Sequence, residues 1–219
     1  AWFNRLQIID STTISLFSNL IFKGVGRHPK TGKKKGGIKV HTNIHANEFV
    51  PSDIKFTSAA TNDNFMLKPA NYNDGDIIAM DRAYIDYARF EELTNRGVTY
   101  VTKMKKNLVY DTLSDTMYML PCSLMECRVQ VVEFRKHIKG GENIKHKARI
   151  VTYVDPAKKK AKVISLLTND MTMEVEDIID IYRQRWEIEL LLKQLKQKFP
   201  LKYFYGESAN AIKIQIWVT

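Results

Sequence analysis

Cysteine and histidine are scarce, with two Cys and five His among 219 residues. Cys122 and Cys127 lie five positions apart, with no second Cys or His pair at zinc-finger spacing. A disulfide framework and a structural zinc site of that kind are therefore not indicated. His41 and His45 share one face of a strand, but zinc normally takes three or four protein ligands, so they read as ordinary strand histidines. Long apolar runs are missing as well: Leu190–Leu192 and Ile77–Met80 fall far short of the roughly 20 residues that span a bilayer, and no signal segment opens the chain. Membrane and secretory classes drop out, and a reducing cytoplasm is the expected compartment. The chain has no initiator Met and stops at Ile216-Trp217-Val218-Thr219 without a helix stop signal, so a longer parent protein is expected. Acidic residues are outnumbered, 24 against 34 Lys and Arg, and the resulting +10 points towards a polyanionic partner.

What is present reads as mixed α/β. Leu6-Gln7-Ile8-Ile9 predicts a short buried strand ending at Asp10, and Ile38 to Ile44 a second strand across from it. The connection between them, residues 23 to 39, carries Lys33, Lys34 and Lys35 among glycines, a cationic loop suited to gripping a nucleic-acid backbone. It is not a nucleotide phosphate loop, because five residues separate Gly26 from Gly32 and Lys34 follows Lys33 where Ser or Thr is needed. Ile54 to Thr57 gives a third strand. Ile77 to Met80 gives a fourth, apolar on both faces as central parallel strands are, and it ends at Asp81. A helix from Tyr84 to Thr94, stopped by Gly97, and a strand from Val98 to Met104 follow. Residues 107–168 then read as a β-meander inserted into the pattern, with strands at Val129 to Phe134, Arg149 to Val154 and Val163 to Leu167. A helix from about Glu174 to Lys198 completes the reading.

That helix carries most of the chemistry. At about 100° per residue, Tyr182, Arg185, Glu189 and Lys196 fall within a stripe roughly 60° wide, beside an apolar face led by Ile181, Ile188 and Leu192. Asp10 and Asp81 each end an apolar strand, the position where open α/β sheets present ligand-binding groups. Asp74, Asp76 and Asp86 surround Asp81, but Asp76 opens the strand and Asp86 falls towards the next helix. Three carboxylates on one basic cleft suit hard divalent cations and in-line phosphodiester displacement. Their separations, 71 and 108 positions, show nothing local that would make them meet.

Asp10-Ser11-Thr12-Thr13-Ile14, Asp81-Arg82-Ala83-Tyr84 and the pattern Y-x2-R-x3-E-x6-K at Tyr182, Arg185, Glu189 and Lys196 resemble the IS4-type DDE transposases through nearly the whole chain. The resemblance implies an RNase H-like mixed sheet with flanking helices, residues 1–106 and 169–219, interrupted by the β-rich insertion at 107–168. It implies a metal triad of Asp10, Asp81 and Glu189 using Mg²⁺, with Mn²⁺ as substitute, and contacts from Tyr182, Arg185 and Lys196 to phosphates or displaced bases. Double-stranded DNA, a synaptic homodimer and a bacterial cytoplasm with association to the nucleoid follow as expectations. Members that make hairpin ends can hold a flipped base on an aromatic residue of the insertion, often Trp. The tryptophans here are Trp2, Trp186 and Trp217, which leaves Tyr110, Tyr118, Phe134 or Tyr153 for stacking. A separate N-terminal recognition domain, usual in the family, is not seen ahead of the first strand. Two alternatives stand beside this reading: an inactive DNA-binding module descended from such an enzyme, and an RNase H-like nuclease without strand transfer.

Overall fold

The computed structural model describes residues 2–15, 37–48, 50–120, 125–137, 143–155, 162–198, 204–206 and 208–218. Nine strands form one sheet in the order β3-β2-β1-β4-β5-β9-β8-β7-β6. They are β1 (Leu6–Ser15), β2 (Gly37–His45), β3 (Val50–Ser58), β4 (Ile77–Met80), β5 (Thr99–Lys103), β6 (Asp111–Met119), β7 (Glu126–Lys136), β8 (Ile144–Asp155) and β9 (Lys162–Thr168). The helices are α1 (Tyr87–Asn95), α2 (Val175–Lys198) and α3 (Ala209–Trp217). β1, β4 and β5 run parallel, and the remaining neighbours are antiparallel. The meander does not stand apart from this sheet: β9 pairs with β5 through Val101↔Thr168 and extends it.

Alternation along the central strands explains the layers. Ile8 of β1 with Ile77 and Ala79 of β4 packs against Ile178, Ile181 and Ile188 of α2. Ile9, Ile78 and Met80 point the other way, into a second core with Phe90 and Leu93 of α1 and Phe134 of β7. The unbroken apolar run of β4 is thus buried on both faces, and each fully buried Ile or Leu contributes about 1.5–3 kcal/mol. A third, smaller cluster joins Ile14, Ile38 and Val40 to Ile212 of α3.

Several local expectations hold. β4 has the bounds read from the sequence, and Gly97 closes α1 with φ +70°; α1 itself starts at Tyr87 rather than Tyr84, because Asp86 lies outside the helix and caps it by accepting from Ala88 N at 3.1 Å. Others change. β1 does not end at Asp10 but runs to Ser15, because β2 continues to pair with it beyond the point where β4 stops. β6 and α3 were not anticipated. Phe134 and Tyr153 are core residues: Phe134 stacks on Tyr87 at 4.7 Å and Tyr153 is 4% exposed, so neither can receive a base. Tyr110 and Tyr118 are partly buried against the two main cores. Trp186 is 49% exposed.

Candidate active site

The parallel ladder between β1 and β4 ends at Ile9↔Met80, so the next residues, Asp10 within β1 and Asp81 just past β4, follow the point where the two strands stop pairing. Asp10 keeps its place in β1 through pairing with Thr42 of β2, and its Oδ1 accepts from Ser11 N at 2.8 Å. Asp81 leaves β4 in an extended conformation and caps a short 3₁₀ turn, Arg82–Tyr84, accepting from Ala83 N at 3.0 Å. Both carboxylates are therefore held by nearby backbone donors.

α2 crosses the same end of the sheet. Ile178, Ile181 and Ile188 anchor it on the strands, and the residues on the flank of that apolar stripe are brought over the aspartates. The result is a cleft of about 280 Å³ lined by Asp10, Ser11, Thr12, Asp81, Arg185, Glu189, Leu192 and Lys193. Asp10, Asp81 and Glu189, distant in sequence, all line it. Tyr182 lies beneath, 8% exposed, with the Arg185 guanidinium 5.2 Å from its ring centroid. The Lys196 backbone belongs to α2, but its side chain lies outside the described ones, as do residues 33–35 entirely. Lys193 was missed by the sequence reading. It sits about 40° around the helix from Glu189, and an i,i+4 search from that residue would have found it.

Charge in the cleft is crowded. Burial raises the Asp10 carboxyl to about 6; the Ser11 N–H and Arg185 oppose this, while the Glu189 and Asp81 charges add to it. Arg185 is 4% exposed and donates from Nη2 to Glu189 Oε2 at 2.9 Å. Burial alone would lower this guanidinium, but Tyr182, Asp10 and Glu189 outweigh it and hold it above its ordinary range. Its Nε is buried without a hydrogen-bond acceptor among the described residues. Glu189 is itself 53% exposed on its side chain, so this ion pair adds little stability, at most about 1 kcal/mol.

Among the described residues, no three Asp, Glu, His or Cys side chains already stand close enough to form a metal centre. Glu189 faces Arg185 instead. The donor chemistry nevertheless fits a hard divalent cation: the acids offer oxygen alone, and a cation would offset the burial that raises Asp10 together with the smaller repulsion from Glu189 and Asp81.

The profile of the family described as Transposase DDE domain matches residues 1–219. The chain is 24% identical over 212 residues to y4zB of Sinorhizobium fredii, a transposase by name, covering 97% of this chain and 57% of that one. It is 27% identical over 215 residues to a Synechocystis sp. protein named as a transposase for insertion sequence element IS4SA, covering 95% and 55%. The transposase for insertion sequence element IS231C of Bacillus thuringiensis subsp. berliner matches at 21% over 278 residues, 99% and 54%. The chain spans about half the length of these curated relatives. Among solved structures, a piggyBac transposase synaptic complex with hairpin DNA superposes with a TM-score of 0.50 at 12% identity, covering 87% of this chain and 40% of that one. That likeness shows the fold, an RNase H-like mixed sheet with flanking helices.

Proposed function

The chain belongs to the Transposase DDE domain family, and from that premise we propose that it is the catalytic domain of a DNA transposase, cutting at transposon ends and joining the freed 3′-hydroxyl to target DNA. One observation supports this reading above the others: Asp10 and Asp81 emerge side by side from parallel strands into a cleft shared with Glu189 and Arg185. We assign residues 1–106 and 169–219 to the catalytic core and 107–168 to the insertion.

Asp10, Asp81 and Glu189 would hold Mg²⁺, or Mn²⁺ in its place. Bound there, such an ion supplies a nucleophile at neutral pH and charge stabilisation for the leaving oxygen. The chain's own residues do the rest by positioning. Arg185 offers a planar fork matched to a phosphate once Glu189 turns to the metal. Lys193 adds a second cation at the cleft, with Tyr182 beneath Arg185 keeping the guanidinium in place. Lys196 and the loop lysines Lys33, Lys34 and Lys35 are further candidates for contacts to DNA phosphates. The partner is double-stranded DNA, bound as a homodimer at synapsis, in a bacterial cytoplasm where DNA holds the protein at the nucleoid. Among the described residues, no helix is long and apolar enough to cross a membrane.

Glu189→Gln tests the assignment. It should abolish Mg²⁺-dependent nicking of transposon-end DNA while leaving most of the DNA affinity, and retained nicking would contradict it. The binding-module and nuclease alternatives have no separate observation in their favour.

A further inference from the structure

Asp10 and Ser11 point to opposite faces of the sheet, Asp10 towards α2 as Ile8 does and Ser11 away from it as Ile9 does. Behind the cleft, Ser11 Oγ donates to Asp63 Oδ1 at 2.6 Å. Asp63 begins a 3₁₀ turn, Asp63–Phe65, that follows β3. Lys39 of β2 donates from Nζ to the same Asp63 oxygen at 3.1 Å and to Thr61 O at 2.6 Å. The same turn reaches the other strand end. With its amide nitrogen facing inward, Asn64 donates to Tyr84 O at 3.0 Å and to Ala83 O at 3.3 Å, and the Ala83 N–H is the donor that holds Asp81. One turn thus touches the residue that follows Asp10 and the residue that holds Asp81.

The Lys39 and Asp63 side chains are only 13% and 23% exposed. A largely buried ion pair gives little net stability against a hydrophobic replacement, and its best-attested use is to fix a register. Here the pair joins β2 to the turn after β3, and that turn reaches β1 through Ser11 and the turn beyond β4 through Asn64. Groups behind metal ligands set the orientation of those ligands and commonly control affinity.

We propose that Asp63, locked by Lys39, is a positioning residue that ties β1 beside Asp10 to the end of β4 through Ser11 and the Asp63–Phe65 turn, and so sets the spacing of Asp10 and Asp81 for a divalent cation. The proposal rests on the metal-binding role given above to Asp10, Asp81 and Glu189.

Calorimetric titration of the full chain with MnCl₂, beside its thermal melting, tests it. Asp63→Asn and Ser11→Ala should each weaken Mn²⁺ binding by about tenfold. Ser11→Thr, which keeps the hydroxyl, should bind as the unaltered chain does. Ser11→Ala deletes one oxygen and should melt within a few degrees of the unaltered chain, so it decides the matter even if Asp63→Asn folds poorly. Mn²⁺ affinity within twofold of the unaltered chain for Ser11→Ala would overturn the proposal, whatever Asp63→Asn shows, because Ser11 is the link to Asp10. Failure of the unaltered chain to bind Mn²⁺ would instead overturn the metal reading itself.

Discussion

Arg185 Nη2 donates to Glu189 Oε2 at 2.9 Å, so the acid assigned to the metal is held, in this structure, by a buried cation one helical turn away. The guanidinium competes with any metal for the same carboxylate, and its charge also opposes a second cation beside Asp10. Arg185→Gln should therefore tighten Mn²⁺ binding severalfold while weakening binding to transposon-end DNA. Calorimetry checks the first effect and a filter-binding or anisotropy titration the second. Weaker Mn²⁺ binding in the variant would show that Arg185 assists the metal rather than competing with it.

Lys193 lies in the cleft and should meet a phosphate. Lys193→Ala is expected to lower DNA affinity about uniformly across sequences and to reduce the slope of log K against log salt by about one. Joint replacement of Lys33, Lys34 and Lys35 with Ala should flatten that slope further, by up to about three. A slope unchanged by either set removes those lysines from the interface.

His146 provides a pH signature away from the cleft. Its ring is buried, with Nδ1 donating to Glu91 Oε2 at 2.8 Å and Nε2 left to accept from Tyr100 Oη at 2.6 Å. Burial lowers its proton affinity below the ordinary 6.5 and outweighs the opposing pull of Glu91. Below that value the unfolded chain therefore binds a proton that the folded chain refuses, so the contribution is complete above 6.5 and is lost as pH falls. His146→Gln should lower the melting temperature at about pH 7.5 and make its decline towards about pH 5 shallower. An equally steep decline in the variant would clear His146 of this role.

Gly97 turns the chain from α1 into β5 with φ +70°, and a Cβ there would stand 2.0 Å from Asp74 Oδ1. Gly97→Ala should cost about 1–3 kcal/mol, part from backbone strain and part from displacing Asp74. Urea unfolding measures the loss. A midpoint like that of the unaltered chain would mean that the turn relaxes freely.

The candidate site residues were legible where local pattern and topology coincide. Ile77–Met80 is apolar at every position because it is buried on both faces, so its end, and with it Asp81, could be read directly. Asp10 was legible as a boundary, but the boundary belongs to the β4 ladder rather than to β1, whose partner β2 lies far along the chain. β6 escaped because Asp111–Met119 is an edge strand with almost every residue exposed, which removes the alternation that marks half-buried strands. α3 escaped for a related reason: its apolar residues, Ile212 buried but Ile214 and Trp217 exposed, do not follow a single face. Asp63 carried no signal at all, since its partners Ser11 and Lys39 are 52 and 24 positions away.

The most direct measurement is an anomalous difference map from crystals of the chain soaked with Mn²⁺. The account predicts a peak at about 2.0–2.3 Å from carboxylate oxygens of Asp10 and Asp81, with Glu189 turned away from Arg185 to join them. A well-soaked crystal in which Glu189 keeps its contact with Arg185 and no peak lies between Asp10 and Asp81 would contradict it.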